Sequence, residues 1–285
     1  MFINSLTALF NSNTKCKLFA DDVKLYNVIE SDDDFKAKQE SLDYIASWSS
    51  EFDKCSVIVL GRSCARFPFH LNGTILKYND NLKDLGVIID SSLKFNLHVN
   101  YIVNKAHSRA SLILKCFVSR NRNSMVRAFK VYCRPLLEYA SSVWSPHFSQ
   151  AIDKIESVQR RFTKRLRGLA ETDYAARLSL LDLPSLEQRR LMLDLHVTLT
   201  YKVIFGLIDV TFNYFSLRQT ASMSTRGNPC KLNCVHGRTD VRQHYFCNRV
   251  CNIWNSLPPS IVDFTSISSF RRTLRNVNLH IFTKF

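Results

Sequence analysis

Two adjacent carboxylates, Asp21 and Asp22, sit inside Lys17-Leu18-Phe19-Ala20-Asp21-Asp22-Val23-Lys24-Leu25, between the apolar runs 18–19 and 23–29. The flanks favour strands through their β-branched and aromatic residues. The aspartates favour a turn, because their side chains bond nearby backbone N–H groups. The stretch therefore predicts a β-hairpin with the carboxylates at its tip. Mg²⁺ takes oxygen ligands and is held by one or two carboxylates together with substrate phosphates, so such a tip suits a divalent cation. Two-metal phosphoryl transfer needs at least one more carboxylate from elsewhere in the chain. By itself an Asp-Asp pair is more commonly a solvated turn.

A second set of charges lies at 151–169. Ile152, Ile155, Val158, Phe162, Leu166 and Leu169 fall on one helical face. Lys154, Arg160, Arg161, Lys164, Arg165 and Arg167 fall on the other, six cations without an acid among them, which suits a phosphate backbone as well as plain solvent. A third set is thiol-based: Cys230-x₃-Cys234 and Cys247-x₃-Cys251, with His236 and His244 between, have spacings a structural zinc site permits. The run 242–254 also reads as an amphipathic helix, on which Cys247 and Cys251 would be small buried hydrophobes, and this second reading is favoured. His70, His98, His107, His147 and His196 are dispersed singly and read as structural or surface residues. Trp144 and Trp254 could stack on bases but read as core. There is no Gly-rich phosphate loop, Ser-His-Asp set or nucleotide fingerprint.

The elements that must carry these groups fall into two styles. Ser31 caps a helix over 32–50, with Asp34 three residues on and Phe35, Leu42, Ile45, Trp48 and Phe52 at helical spacing. Strand patterns follow at 55–60, at 67–71 and 74–78 around an Asn72-Gly73 turn, and at 82–90 with an interruption at Gly86. Residues 1–92 thus read as a sheet backed by at least one helix. Thereafter the period is helical: 97–117, 124–132 with Pro135 ending or kinking the element, 151–169, and 185–205 opened by Ser185 after Pro184. The fold class expected is α+β, with 93–215 a basic helical region, 216–229 a Ser/Thr/Gly-rich linker and 230–285 a basic C-terminal segment.

Composition narrows the function classes. The 285 residues carry a net charge of +15, very unevenly spread: residues 1–100 are net −2 and residues 101–285 net +17. A basic C-terminal two-thirds points to a polyanionic partner, nucleic acid first, against the plainer alternative of a basic soluble surface. No run reaches the ~18 consecutive apolar residues of a membrane span, and residues 1–5 make no convincing signal peptide. Nine cysteines, an odd number scattered through a large chain, read as reduced thiols of an intracellular protein, nuclear or cytoplasmic.

Together these residues resemble the C-terminal part of the reverse transcriptase of non-LTR (LINE-type) retrotransposons. Phe19-Ala20-Asp21-Asp22 resembles the catalytic motif C of the palm. The helix ending at Trp48, followed by Lys54-Cys55, resembles motif D. Leu82-Lys83-Asp84-Leu85-Gly86-Val87 with His98 resembles the primer grip and the entry to the thumb. Tyr132-Cys133-Arg134-Pro135-Leu136-Leu137-Glu138-Tyr139-Ala140, Val143-Trp144-Ser145-Pro146, residues 155–162, Ser185-Leu186-Glu187-Gln188-Arg189-Arg190 and residues 254–258 resemble the helical region beyond the palm, in the family's order.

The resemblance implies a partial palm over 1–92 and a thumb-like region after it. It implies RNA-directed DNA polymerisation on an RNA template and a DNA primer or target with dNTPs, and no membrane. By the same resemblance Asp21 and Asp22 would hold Mg²⁺, and Lys54 would act near the leaving pyrophosphate, a surface lysine being the plainer reading. The family's further metal-binding aspartate and its fingers lie upstream of motif C and have no counterpart in the 18 residues before Phe19. The expectation is therefore a C-terminal fragment that is inactive alone. The competing readings are a non-enzymatic nucleic-acid-binding module and a relic without selected function.

Overall fold

The computed structural model describes residues 10, 14–48, 55–61, 66–118, 120–198, 200–208, 230–234 and 236–285, with the backbone alone at 196–198. The expected linker at 216–229 lies outside the described residues. The chain divides into two units, residues 1–83 with 89–93, and residues 84–88 with 94–285.

In the first unit, β1 (Lys15–Phe19) and β2 (Asp22–Tyr26) form the expected antiparallel hairpin. Its two-residue connection is Ala20-Asp21, with Phe19 facing Asp22. Helix α1 (Asp32–Trp48) begins as its sequence demands: Asp34 Oδ2 accepts from the Glu30 N–H at 2.9 Å, the Ser31 N–H at 2.8 Å and the Ser31 hydroxyl at 3.0 Å. These bonds, the Glu30 one foremost, hold the Asp34 carboxyl below the usual carboxylate range. Phe35, Leu42 and Ile45 bury one face of α1 against Phe69, Leu71 and Leu76, with Leu18, Val23 and Leu25 of the hairpin packed at the edge.

The strands beyond α1 are shorter than their sequence patterns. They are β3 (Ser56–Val57), β4 (His70–Leu71), β5 (Thr74–Ile75) and β6 (Lys77–Tyr78). β4 and β5 turn at Asn72-Gly73, whose φ values of 50° and 75° suit the two-residue hairpin. The stretch 74–78 serves two partners, because β6 leaves the hairpin and pairs in parallel with β3. In place of one sheet, the described strands pair two by two. Nor is 82–90 one strand: β7 (Asn81–Asp84) and β8 (Val87–Asp90) form a hairpin. Leu85 (φ 44°) and Gly86 (φ 88°) supply its turn, so the glycine reverses the chain instead of interrupting a strand.

The second unit is helical. Along α2 (Asn96–Cys116), Val99, Ile102, Val103, Ala106, Ala110 and Ile113 are buried, as the period predicts. The Asn121 side chain caps α3 (Arg122–Tyr132) by accepting from the N–H groups of Asn123 and Ser124. Pro135 sits in the first turn of α4 (Arg134–Glu138), where its missing N–H leaves no helical bond unmade, so it opens a short helix of its own. There follow α5 (Ser141–Trp144), α6 (Ser149–Lys164), α7 (Tyr174–Leu180) and α8 (Leu186–Met192).

The single helix expected over 185–205 is instead α8, a wide π turn at Leu193–Thr198 and α9 (Thr200–Ile204). The π turn coincides with a buried acid: Asp194 Oδ2 accepts from Arg249 Nε at 3.1 Å and Nη2 at 2.9 Å, while its backbone carbonyl accepts from the Thr200 hydroxyl at 2.8 Å. Such turns insert where a local demand overrides the regular ladder. Arg249 also donates to the Ser142 carbonyl at 3.0 Å, tying the C-terminal segment to the first turn of α5.

That segment holds α10 (Asp240–Gln243), α11 (Phe246–Asn255), α12 (Ile267–Leu274) and a 3₁₀ turn at Leu279–Phe282. The expected helix over 242–254 is broken before Phe246, because Tyr245 is extended and Asn248 Nδ2 caps the Arg242 carbonyl at 2.6 Å. Trp254, Phe270 and Leu274 are fully enclosed with Leu195 and Tyr201. The Trp254 indole donates to the Cys230 carbonyl at 2.7 Å.

Candidate nucleic-acid interface

Helix α6 owes its rotation to one face. Ile155, Val158 and Phe162 are buried, and Phe162 stacks on Phe129 with ring centroids 4.8 Å apart. On the same face Glu156 is wholly enclosed, accepting from the Leu186 N–H at 2.9 Å and from the Tyr174 hydroxyl. Burial outweighs these partners and raises the Glu156 carboxyl above its ordinary range, and it raises the Tyr174 phenol as well.

With that face fixed, Lys154, Arg161 and Lys164 stand exposed on the opposite one. Arg165 and Arg167 follow, also exposed, in the turn that closes at Gly168. Two members of the predicted row have local partners. Arg160 is half-buried between the rings of Tyr174, at 4.9 Å, and Phe285, at 5.0 Å, and Lys154 donates to Asn100. Nor is the row wholly free of acid, since Asp153 beside Lys154 pairs with Lys284. From α2, His107 approaches the row. Burial chiefly, and then the charges of Arg161 and Arg165, hold its imidazole below the ordinary histidine range.

The turn after α6 meets the start of α3. Arg120, Asn121, Arg122, Arg167 and Gly168 line an open cleft of about 690 Å³. Arg122 Nε donates to the Arg167 carbonyl at 2.9 Å, and a Cβ placed on Gly168 would lie 2.7 Å from Arg122 Nη2. Glycine at 168 therefore serves both the left-handed φ of 74° and the approach of the guanidinium. Of these arginines only Arg167 was visible in the helical pattern. Arg120 and Arg122 are brought to it across 45 residues by the packing of the unit, and their only sequence signal is that they flank the cap residue Asn121.

Asp21 and Asp22 are both exposed on the first unit. Asp21 lies in the turn and Asp22 opens β2, so only the first of the two is strictly at the tip. Ala20, just before them, has φ 52°, a left-handed conformation costing an L-residue roughly 1–2 kcal/mol. The donors are hard carboxylate oxygens, a set that fits Mg²⁺ shared with phosphates. Among the described residues no further carboxylate converges on them. Lys54 lies outside the described residues.

The cysteine tail is laid out by α11. Cys247 and Cys251 are buried beside Trp254, Cys230 is half-buried and Cys234 exposed. Burial pushes the Cys247 thiol up to about 11 and the Cys251 thiol upward too. Among the described residues no three of these thiols converge. The three ligand-type side chains that do are His147, Asp240 and His244; the sequence offers His147 as a lone histidine and His244 beside the thiols, and nothing in it singles out Asp240.

Partial similarities connect the chain to proteins of known name. It is 25% identical over 179 residues to the RNA-directed DNA polymerase from mobile element jockey of Drosophila funebris, covering 58% of this chain and 19% of that protein. Against the jockey polymerase of Drosophila melanogaster it is 24% identical over 140 residues, covering 46% of this chain and 15% of that protein. An uncharacterised protein of Caenorhabditis elegans is 26% identical over 116 residues, covering 40% of this chain and 59% of that protein. The chain thus spans less than two thirds of the length of each of these relatives. No family model matches it, and no solved structure does. The similarities support a relationship to the reverse transcriptases of non-LTR elements. No described helix is long and apolar enough to cross a membrane.

Proposed function

We propose that this chain acts on nucleic acid as a palm-to-thumb portion of a non-LTR RNA-directed DNA polymerase, with the helical unit gripping the sugar-phosphate backbone. The observation that carries the reading is the exposed cationic row Arg161, Lys164, Arg165 and Arg167 beside a cleft that adds Arg120 and Arg122. Guanidinium groups pair with phosphate through fixed forks of donors, and sequence-independent affinity comes from just such contacts. Template RNA and primer DNA are the partners this reading assigns to the helical unit.

In the same reading Asp21 and Asp22 hold Mg²⁺, which when bound neutralises charge on phosphate oxygens. The chain's own contribution there is to present two carboxylates on a paired hairpin. Leu18, Val23 and Leu25 anchor the hairpin in the core, and the strained Ala20 fixes the turn that aims Asp21. Completing a two-metal centre takes a further carboxylate.

The grip is tested by equilibrium binding of a labelled RNA–DNA hybrid to the full chain and to Arg161→Ala/Lys164→Ala/Arg165→Ala. These side chains are exposed, so the fold should survive their removal. A loss of roughly 10-fold or more in affinity at moderate salt is expected. Equal affinity for both proteins would refute the assignment.

A further inference from the structure

We propose that His147, Asp240 and His244 form a binding site for a divalent transition metal of the zinc class, one that staples the segment before α6 to the C-terminal segment. The side chains come from places 93 residues apart, and nothing in their spacing marks them as a set. His147 follows Pro146 at the entry to α6. Its ring lies between Phe148, with centroids 4.0 Å apart, and His244, with centroids 3.7 Å apart and planes 11° from parallel. Asp240 opens α10 and His244 follows its last residue, an i, i+4 spacing that puts both on one side of the turn, as paired ligands on a helix require.

The carboxylate divides its oxygens between the rings. Oδ2 lies 3.1 Å from His147 Nε2 and Oδ1 lies 3.2 Å from His244 Nδ1. One ligand atom from each residue lies within 4.8 Å of the other two. Ligands held at about 2.0–2.1 Å around a tetrahedral zinc are about 3.3 Å apart, so the two histidine–aspartate spacings are already close to tetrahedral edges. The His244 Nδ1 also lies 3.0 Å from the Asp240 carbonyl; because the two imidazole planes are nearly parallel, one ring must turn for both in-plane lone pairs to meet a single ion, and turning His244 exchanges this contact for it.

The company Asp240 keeps is itself selective. The chain has 39 lysines and arginines against 8 histidines, yet the side chains ion-paired with Asp240 among the described residues are both imidazoles. Two imidazoles and one carboxylate favour zinc-class ions over Mg²⁺ or Ca²⁺, which prefer all-oxygen sets. The side chains of His147, Asp240 and His244 are 26%, 58% and 38% exposed, which leaves an entry path and a fourth position for water. The metal's binding energy would then add to the stability of the unit it closes.

Calorimetric titration of the full chain with Zn²⁺ is expected to show one saturable site. Asp240→Asn and His244→Gln, both close in shape to the parent side chains, should each weaken it by roughly 10-fold or more, while Cys234→Ser leaves it unchanged. Because thiols elsewhere could also take zinc, Co²⁺ supplies an independent reading on the unaltered chain. A histidine–aspartate site gives visible d–d bands without the thiolate-to-cobalt charge-transfer band. Absence of saturable binding, a cobalt spectrum dominated by thiolate charge transfer, or an affinity that survives both substitutions would each overturn the assignment.

Discussion

His98 is 1% exposed, its Nδ1 accepts the Ile88 N–H at 3.2 Å, and its ring meets Trp144 edge-on at 5.1 Å. Burial pushes its pKa down to about 4, so the folded protein holds the neutral ring. The unfolded chain protonates near pH 6.5, as a free histidine does. The folded state therefore binds fewer protons between those values. The contribution of His98 to stability is full above about pH 6.5, shrinks as pH falls, and is gone near pH 4. The difference is of the order of 3 kcal/mol. Burial lowers His107 and His147 in the same sense, while Glu156 and Asp194, raised by burial, act in the opposite one. The comparison that isolates His98 is with His98→Asn, whose side-chain oxygen can still accept from Ile88. Urea unfolding from pH 7 to pH 4.5 should show a flatter decline for the variant, even though its stability at pH 7 is lower. Parallel curves would mean that His98 is not the group being titrated.

At the scale of elements, the β7–β8 hairpin depends on a turn with positive φ at both Leu85 and Gly86, and the Tyr139 hydroxyl donates to the Leu85 carbonyl at 2.9 Å. Gly86→Ala puts a Cβ on a left-handed residue and should lower the unfolding free energy by about 1–2 kcal/mol in urea melts, where a neutral result would show that the turn relaxes freely. Elements written as long single periods were legible before folding: α1, α2 and α3 lie within a few residues of their predicted bounds, and α6 within five, because one buried face decides each of them. Elements whose form depends on a distant partner were not. The stretch 74–78 divides between β4 and β3, and the helix expected over 185–205 yields to the π turn that places Asp194 against Arg249, 55 residues away. The candidate interface follows the same division. The α6 cations were readable from periodicity, whereas the loss of Arg160 to Tyr174 and Phe285 and the arrival of Arg120 and Arg122 required tertiary packing.

For the molecule as a whole, charge separates along the sequence much as structure does: the acidic balance lies in the first hundred residues and the +17 in the remainder, which is largely the helical unit. A field of one sign on that unit attracts any polyanion, and discrete phosphate contacts add a measurable counterion release. In the function proposed above, RNA and DNA are the polyanions this surface meets. The most direct test is the slope of log affinity against log salt for duplex DNA, measured for the full chain and for Arg161→Ala/Lys164→Ala/Arg165→Ala. Each phosphate contact contributes about 0.9 to that slope, so losing three should flatten it by about 2–3. An identical slope in the two proteins would contradict a phosphate grip at α6.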